Sequence, residues 1–326
     1  MKLDSLDRKL LNLLQAEFPL TGEPYAELGQ QTGLDTEEVM QRISRLKEKG
    51  IIRMISPVMD PGSLGYRTTL AAMKVAKADL EKAQKVIAGH PGVSHGYERE
   101  HRFNVWFTLA LPPAADIDTE LENLSRAAGA EAAFSLPAIK VFKLAAYFAI
   151  DDDGQNAPAS HRGAVHPAGR VELSSTERLL INALQQDLPL VPAPFTAMAG
   201  HAGISVEQFL AGCRALQQRG VIRRFSAMVN HNHIGFTANA MTCWSCPPEI
   251  TDIAGQKLAS LKEVSHCYER ETNPLWQYNL FAMIHGRSRE ACETIADNVS
   301  SETGLTDCVV LYSTREFKKT RVKYQV

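Results

Sequence analysis

Long apolar runs are missing from the sequence, which therefore contains no segment able to cross a membrane as a helix. Cysteine is missing from the first 212 residues, and all six cysteines lie in the second half of the chain. A secreted disulfide scaffold does not have this distribution. Residues 1–4 lead directly into a polar helical pattern, without the apolar core of a signal peptide. The sequence therefore predicts a cytoplasmic protein without a membrane association.

An excess of charge of either sign is also missing. The chain carries 35 Lys and Arg residues against 37 Asp and Glu residues, a formal net charge of −2. This balance provides no overall electrostatic attraction for nucleic acid. Hydrophobic residues make up 44% and charged residues 22% of the chain, which is ordinary for a globular protein.

The chain does contain one eight-residue stretch in two copies, at residues 93–100 and 264–271. Seven of the eight positions are identical, and only Gly96 and Cys267 differ. In a strand, alternate side chains share one face. An imidazole, a phenol and a guanidinium on one face suit the binding of an anionic small molecule. For a single copy, a strand face exposed to solvent would be the simpler interpretation, but the stretch occurs twice. The shared faces would carry His95, Tyr97 and Arg99 in the first copy, and His266, Tyr268 and Arg270 in the second.

The repeat extends over both halves of the chain. Residues 50–53 match residues 220–223 at an offset of 170 positions. The offset becomes 175 beyond the point where residues 101–102 are replaced by residues 272–277. This pattern indicates a tandem duplication or a fusion of two homologous subunits. It predicts that the two halves form an intramolecular pseudo-dimer, and it leaves a homodimer of the whole chain open.

Each half begins with the pattern of a winged helix-turn-helix domain, three short helices and a strand-forming segment at residues 51–55. The order β-α-β-β-α-β follows, which is typical of a ferredoxin-like domain. Its predicted elements in the first half are 67–76, 78–90, 93–100, 103–111, 116–128 and 139–150. The fold class is therefore α+β, a tandem repeat of both domains. The predicted boundaries are 1–62 and 63–150 for the first half, 151–172 for a flexible linker, and 173–232 and 233–326 for the second half.

A helix-turn-helix domain followed by a ferredoxin-like domain resembles the Lrp/AsnC family of transcription regulators. Residues 50–52 and 64–66 fit the layout of that family. The first recognition helix begins with Asp35, Thr36, Glu37 and Glu38, which places acidic groups where a regulator approaches phosphate. These charges argue against DNA binding.

Residues 95–108, with their combination of His, Tyr, Arg, Asn and Trp, resemble the signature of the sirohaem (siroheme) decarboxylases. These enzymes are Lrp/AsnC-like proteins of haem d1 and alternative haem biosynthesis, and residues 266–286 resemble their partner subunit. The resemblance implies removal of CO2 from the C12 and C18 acetates of sirohaem, which gives 12,18-didecarboxysirohaem. It implies an iron tetrapyrrole substrate and no separate cofactor. The second half departs from the signature because it has no counterpart of His101.

The resemblance also implies roles for individual residues. A histidine suits general acid catalysis near neutral pH, and it equally suits axial ligation of the substrate iron. The catalytic candidates are His95, His101 and His266 with Tyr97 and Tyr268. The candidates for substrate binding are Arg99, Arg270, Arg53, Arg223, Arg102, Asn104, Trp106 and Asn279. On an alternating strand the core is the favoured interpretation of Trp106, and the two asparagines are alternatively backbone partners. No metal site of the protein's own is expected.

Two further patterns and two further functions remain open. Cys243 and Cys246 have the spacing of a metal or redox pair, but on a strand they face opposite ways, so we interpret them as structural. His231 and His233 form a weak metal candidate. The alternatives to an enzyme are a ligand-sensing transcription regulator and a tetrapyrrole-binding sensor or carrier without turnover, which share the fold.

Overall fold

The structure is a computed structural model that describes residues 3–144, 150, 169–230 and 238–326. Both halves contain a helix-turn-helix unit followed by a ferredoxin-like unit, as predicted. Residues 151–168 of the predicted linker and the pair His231 and His233 lie outside the described residues. In the described part of the chain, none of the helices combines the length and the apolar character that crossing a bilayer requires.

Local capping signals set the helices of the helix-turn-helix units. The side chains of Asp4 and Asp35 accept hydrogen bonds from the first turns of α1 and α3, and Gly33 ends α2 at φ +80°. The first unit consists of α1 (Ser5–Ala16), α2 (Pro24–Thr32), α3 (Thr36–Glu48) and β1 (Ile52–Met59). The second consists of α6 (Ser175–Leu184), α7 (Pro194–Ala202), α8 (Val206–Gln218) and β6 (Ile222–Val229).

The strand of each helix-turn-helix unit pairs with the equivalent strand of the other half. Strands β1 and β6 form an antiparallel two-stranded sheet with Ser56 opposite Ser226. The predicted wing is therefore completed by the other half, because a single strand would leave its backbone groups without partners. The two units also share one core, in which Phe18 lies 6.3 Å from Phe195 and 5.7 Å from Phe225 between ring centroids. This arrangement confirms the predicted association of the two halves.

The ferredoxin-like units have the predicted order of elements. The first contains β2 (Arg67–Val75), α4 (Leu80–Gly89), β3 (Val93–Arg99), β4 (Val105–Leu111), α5 (Ile117–Ala128) and β5 (Ala130–Leu144). The second contains β7 (Ala238–Trp244), α9 (Pro248–Ser260), β8 (Val264–Arg270), β9 (Leu280–Gly286), α10 (Arg289–Thr303) and β10 (Cys308–Lys319). The predicted start of β5 at residue 139 was wrong. Gly129, at φ +69°, ends α5 and turns the chain directly into the strand.

The eight strands of the two ferredoxin-like units close into one barrel in the order β10-β3-β4-β2-β5-β8-β9-β7. The barrel closes because β5 and β10 are each long enough to pair with strands of both ferredoxin-like units. Strand β5 pairs with β2 and then with β8, and β10 pairs with β7 and then with β3. Each copy of the repeated stretch, in β3 or β8, is therefore bordered by a strand from the other half.

Candidate active site

The two repeated stretches orient their histidine rings in the same way. Ser94 Oγ lies 2.8 Å from Nδ1 of His95, and Ser265 Oγ lies 2.8 Å from Nδ1 of His266. A hydrogen bond to one ring nitrogen fixes the orientation of the imidazole and directs the other nitrogen outward. Nε2 of each ring is therefore the atom that a bound molecule would meet.

His95 and His266 converge on one region between the barrel and the β1–β6 sheet. Burial lowers the pKa of His95 to about 3, and Lys319 and the ring of His266 lower it further. Burial also lowers the pKa of His266 to about 3, and the positive charges of Arg224 and Lys319 add to this effect. Lys319 stands opposite His95 in the pairing of β10 with β3 and is one of the cations that lower the pKa of both imidazoles, so the two rings share one region. Both rings are neutral at pH 7, which suits a metal ligand or a proton acceptor.

Six cations act on these rings. Besides Arg270 and Lys143 they are four that we call the basic cluster: Arg53, Arg224, Lys319 and Arg321. Arg321 bridges the two halves, because its Nη2 donates to Ser56 O at 3.3 Å and to Ser226 O at 3.4 Å. Burial lowers the pKa of both Arg224 and Arg321 to about 10. Cations are costly to bury without counter-ions, so the basic cluster is suited to an anionic ligand.

Sequence reasoning identified only Arg53 in the basic cluster. The counterparts of Arg224 and Lys319 in the other half are Met54 and Leu144, so matching of the repeats did not reveal them. The available signals were the adjacent pair at residues 223–224 and the basic run at residues 318–323.

The tyrosines lie next to the histidines but differ in their partners. The hydroxyl of Tyr97 lies near the carboxylate of Glu316, which accepts from Arg53 Nη2 at 2.5 Å. The ring of Tyr268 stacks on His266 with 6.3 Å between centroids. Burial raises the pKa of both phenols, so both remain protonated at neutral pH.

Arg99 and Arg270 lie deeper in the barrel, at the far end of the predicted faces. Their side chains lie over the rings of Tyr97 and Tyr268, and Nη1 of each donates to a backbone carbonyl of the bordering strand, at 2.9 and 2.8 Å. Burial lowers the pKa of both guanidinium groups. The Nε atom of each has no hydrogen-bond partner among the described residues, which leaves one donor available.

His101 does not join the other two histidines. It lies beyond the end of β3, in the turn that leads from Arg99 to Asn104. Its Nδ1 accepts from the backbone N–H of Phe103 at 3.1 Å, and its ring lies 5.4 Å from that of Trp276. Burial lowers the pKa of His101. The structure thus places this histidine in an aromatic cluster at the opposite end of the barrel.

Trp106 stands opposite Tyr97 in the pairing of β3 with β4, whereas Arg102 lies beyond the end of β3. Trp106 is buried, and its Nε1 donates to Phe103 O at 2.7 Å, which favours the interpretation as core. The guanidinium of Arg102 lies 5.3 Å from the ring of Phe103.

The remaining predicted binding residues have partners within the fold. The Asn104 amide bonds both backbone groups of Val75, and the Asn279 amide bonds those of Cys246, at 2.8 to 3.0 Å. Arg223 Nε donates to Asp60 at 3.0 Å. Both asparagines therefore act as backbone partners, which was the alternative interpretation of the sequence.

Two family profiles match the chain. The profile described as "Siroheme decarboxylase NirDL-like HTH domain" matches residues 7–53 and 177–223, and the profile described as "AsnC-like ligand binding domain" matches residues 63–143 and 233–318. The siroheme decarboxylase of Hydrogenobacter thermophilus is 36% identical over 320 residues, which cover 97% of this chain and 94% of that protein. The chain belongs to the sirohaem decarboxylase family.

Other members of the sirohaem decarboxylase family match one half of the chain. The beta subunit from Methanosarcina barkeri is 41% identical over 151 residues, which cover 46% of this chain and 99% of that subunit. The alpha subunit from Desulfovibrio desulfuricans is 40% identical over 151 residues, 46% of this chain and 87% of that subunit. The resemblance to a fusion of two homologous subunits is thereby confirmed.

Solved structures of the family agree with the fold. The crystal structure of the siroheme decarboxylase NirDL has a TM-score of 0.73 and 34% identity, and covers 98% of this chain and 94% of that one. A second NirDL structure, in co-complex with an iron-uroporphyrin III analogue, has a TM-score of 0.72 at the same identity and coverage.

The cysteines contribute no metal site in the described part of the chain. Cys243 lies inside the barrel, whereas Cys246 lies on the side of α9 and accepts from Thr251 Oγ1 at 3.5 Å. Among the described residues, no three His, Cys, Asp or Glu side chains are grouped as metal ligands would be. The structural interpretation of the two cysteines is therefore favoured.

Proposed function

We propose that the protein removes CO2 from the C12 and C18 acetate side chains of sirohaem and releases 12,18-didecarboxysirohaem. One observation carries this proposal: both motif histidines, His95 and His266, converge on a single region that the basic cluster surrounds. The family membership supports the reaction. The NirDL structure that contains an iron-uroporphyrin III analogue supports an iron tetrapyrrole as the ligand.

The charges of the site suit this substrate. Sirohaem carries several carboxylates, and guanidinium groups bind carboxylates with two parallel hydrogen bonds. Arg53, Arg224 and Arg321 supply such groups at the rim of the site. Arg99 and Arg270 supply a free Nε–H each in its depth, which supports their predicted role as carboxylate anchors. Tyr97 and Tyr268 provide flat aromatic surfaces and neutral phenol donors beside the histidines.

The chemistry requires a proton but no net oxidation. In each step the bond between the methylene carbon and the carboxylate breaks, CO2 leaves, and the electron pair remains on the carbon next to the macrocycle. A proton then forms the new C–H bond, and a methyl group results. The conjugated macrocycle accommodates the electron pair, so we propose that no separate cofactor takes part.

The histidines can serve this reaction in two ways. Both imidazoles are neutral in the structure, because burial and the surrounding cations disfavour the charged form. Carboxylates of a bound substrate offset those cations and raise the pKa of each ring, which allows it to carry the proton for the new C–H bond. A neutral imidazole can equally ligate the substrate iron through Nε2.

We propose a structural role for His101. Its ring is enclosed by aromatic side chains at the end of the barrel opposite the basic cluster. The catalytic group would then consist of His95 and His266, one from each half. A single bound pigment could meet both without leaving the site.

We further propose that the helix-turn-helix units do not bind DNA. The cations of α3 are already paired with carboxylates: Arg42 with Asp4, Asp7 and Glu38, Arg45 with Asp7, and Lys47 with Asp187. Phosphate contacts would have to replace these ion pairs. The two units instead present β1 and β6 to the barrel, which supports a role in enclosing the substrate.

We also propose that the protein acts in a reducing compartment, the cytoplasm. All six cysteines are free thiols, and five of them are buried. Disulfide bonds persist in oxidising compartments, where so many free thiols would be unusual.

The decisive experiment is anaerobic incubation of the purified protein with sirohaem, followed by mass spectrometry of the pigment. The loss of one or two CO2 establishes the decarboxylase and shows whether both acetates react. The double variant His95→Ala/His266→Ala should leave the pigment intact, whereas His201→Ala, at an exposed position on α7, should not differ from the wild type. A pigment that binds without change would favour the sensor or carrier.

A further inference from the structure

A buried histidine lies directly behind His266. Ser265 Oγ, which lies 2.8 Å from Nδ1 of His266, also lies 2.8 Å from Nε2 of His285 on β9. Both Ser265 and His285 are buried, so water has little access to this contact. The three side chains form a continuous hydrogen-bonded chain that leads from the site into the fold.

The hydroxyl hydrogen of Ser265 couples the two imidazoles, because a hydroxyl donates one hydrogen bond and accepts others. If Ser265 donates to Nδ1 of His266, then Nε2 of His285 must donate to Ser265, and a neutral His266 keeps its hydrogen on Nε2. If Ser265 donates to His285 instead, Nδ1 of His266 carries the hydrogen and Nε2 of His266 presents a lone pair. The state of His285 therefore determines whether His266 offers the substrate a proton or a lone pair.

In the first half a hydroxyl takes the place of the second imidazole. Ser94 Oγ lies 2.8 Å from Nδ1 of His95 and 2.7 Å from Thr108 Oγ1. The counterpart of His285 in this half is Ala110. A threonine hydroxyl does not hold an extra proton near neutral pH, whereas an imidazole does. In the described part of the chain, the group behind the serine can thus store a proton in the second half but not in the first.

We infer that His285 is a proton reservoir for His266 and acts on it through Ser265. The inference rests on the proposed function and deepens it. The positive charges that disfavour a second proton on the ring of His266 are those of Arg224, Lys319, Arg270 and Lys143. The reservoir makes the proton available without holding it on His266 before the reaction. His285 acts as a positioning residue, because it reaches the substrate only through His266.

The proton transfer balances over a full turnover. The carbon–carboxylate bond breaks, CO2 leaves, and the electron pair on the methylene carbon takes the Nε2 proton of His266. Nδ1 of His266 takes the hydroxyl proton of Ser265, which takes the Nε2 proton of a charged His285. After the product leaves, a proton from water enters at Nε2 of His266 and the chain reverses, which recharges His285. Each released CO2 therefore consumes one proton from water, and neither an oxidant nor a reductant is needed.

The test is a single-turnover reaction with sirohaem, in which the monodecarboxylated isomers are separated and quantified. His285→Gln keeps a hydrogen-bond donor to Ser265 but cannot carry an extra proton. It should bind the pigment as the wild type does, as measured by absorbance titration. It should slow the step that His266 serves by about 100-fold, the lower end of what acid catalysis contributes, and accumulate the same isomer as His266→Ala.

Mixtures of water and deuterated water count the protons that move in this step. The rate of the wild type should depend on the deuterium fraction along a curve, because several protons move together. The rate of His285→Gln should depend on it linearly, because the chain behind His266 no longer takes part. His90→Gln, which removes a half-buried histidine that lies 3.1 Å from Glu120, is the control and should react as the wild type does.

A matched pair of serine variants separates the reservoir from the orientation of the rings. Ser265→Ala and Ser94→Ala each remove the hydroxyl that bonds Nδ1 of a histidine. Ser265→Ala additionally breaks the contact with His285, so it should slow its step more than Ser94→Ala slows the equivalent step in the first half.

The outcomes are distinguishable from those of the proposed function. A wild type that removes no CO2 would overturn both proposals. With an active wild type, a His285→Gln variant of unchanged rate would overturn the reservoir alone, and so would a loss of pigment binding that accounts for the whole loss of rate. If His285→Gln does not fold, equal effects of Ser265→Ala and Ser94→Ala would do the same.

Discussion

The two copies of the repeated stretch share their sequence but not their surroundings. In the first half the serine before the histidine bonds Thr108 at 2.7 Å, whereas in the second half it bonds Nε2 of His285 at 2.8 Å. The strand that borders each copy comes from the other half, and it places Glu316 and Lys319 opposite Tyr97 and His95 but Val141 and Leu144 opposite Tyr268 and His266. Duplication therefore preserved the reactive groups, while the crossing strands made the two sites unequal.

The single difference within the repeated stretch shows how the packing adjusted. At Gly96 the ring of Phe317 occupies the space where a Cβ would lie. In the second half Cys267 is buried at that position, and the ring of Phe142 packs against Gly255 of α9 instead. A small residue is thus present in both halves, but on a different element, which keeps the packing density similar.

The largest effect is expected from substitution of either histidine of the site. His95→Ala and His266→Ala should each slow one decarboxylation by about 10²- to 10⁴-fold, the range for loss of a general acid. The two variants should therefore accumulate different monodecarboxylated isomers, as measured by chromatography and mass spectrometry. The same isomer from both variants would show that the histidines do not serve separate acetates.

The insertion in the second half provides the next comparison. Trp276 is 3% exposed and lies 5.0 Å from Trp106 and 5.8 Å from Phe134 between centroids. Trp276→Ala should lower the free energy of unfolding by about 3–5 kcal/mol, as expected for a buried tryptophan. The neighbouring Leu275→Ala, at 43% exposure, should change it by less than about 0.5 kcal/mol. Equal effects in urea unfolding would show that the insertion does not stabilise the barrel.

An exchange at the position that differs between the two copies tests the packing adjustment. Gly96→Cys should destabilise the fold by about 1–3 kcal/mol, because the new side chain overlaps the ring of Phe317. Cys267→Gly only opens a small cavity and should cost about 1 kcal/mol or less. Chemical denaturation measures both values. If Gly96→Cys were as stable as the wild type, the two halves would be packed more loosely than the structure shows.

The last comparison concerns the pH dependence of stability. The pKa values of His95 and His266 are lowered from 6.5 to about 3 in the folded state. Between these values the unfolded chain binds more protons, so the free energy of unfolding falls as the pH decreases from about 6.5 towards 3.

His95→Gln and His266→Gln test this dependence. Each should reduce the proton uptake on unfolding by about one proton in that range, which unfolding titrations at several pH values measure. The exposed His201→Gln is the control substitution. A slope that neither variant changes would contradict the buried, neutral state of the two rings.

Much of the local structure could be predicted because its signals lie within a few residues. Asp4 and Asp35 marked the starts of two helices, and Gly33 marked an end. The alternation of His95, Tyr97 and Arg99 predicted a shared face, which the strand shows. The start of β5 was missed because β-strand propensity is weak in the alanine-rich segment that opens the strand, so only pairing with β2 extends it to Ala130.

The sequence by itself determined the duplicated organisation, the α+β fold class and the histidines of the site, because repeats, caps and alternation are local properties of the chain. Only the tertiary structure decided which residues meet. The pairing of β1 with β6, the crossing of β5 and β10, and the resulting contacts of Arg224, Lys319 and Glu316 join residues far apart in sequence. Such contacts depend on register and packing between the halves, for which a single sequence carries no short-range signal.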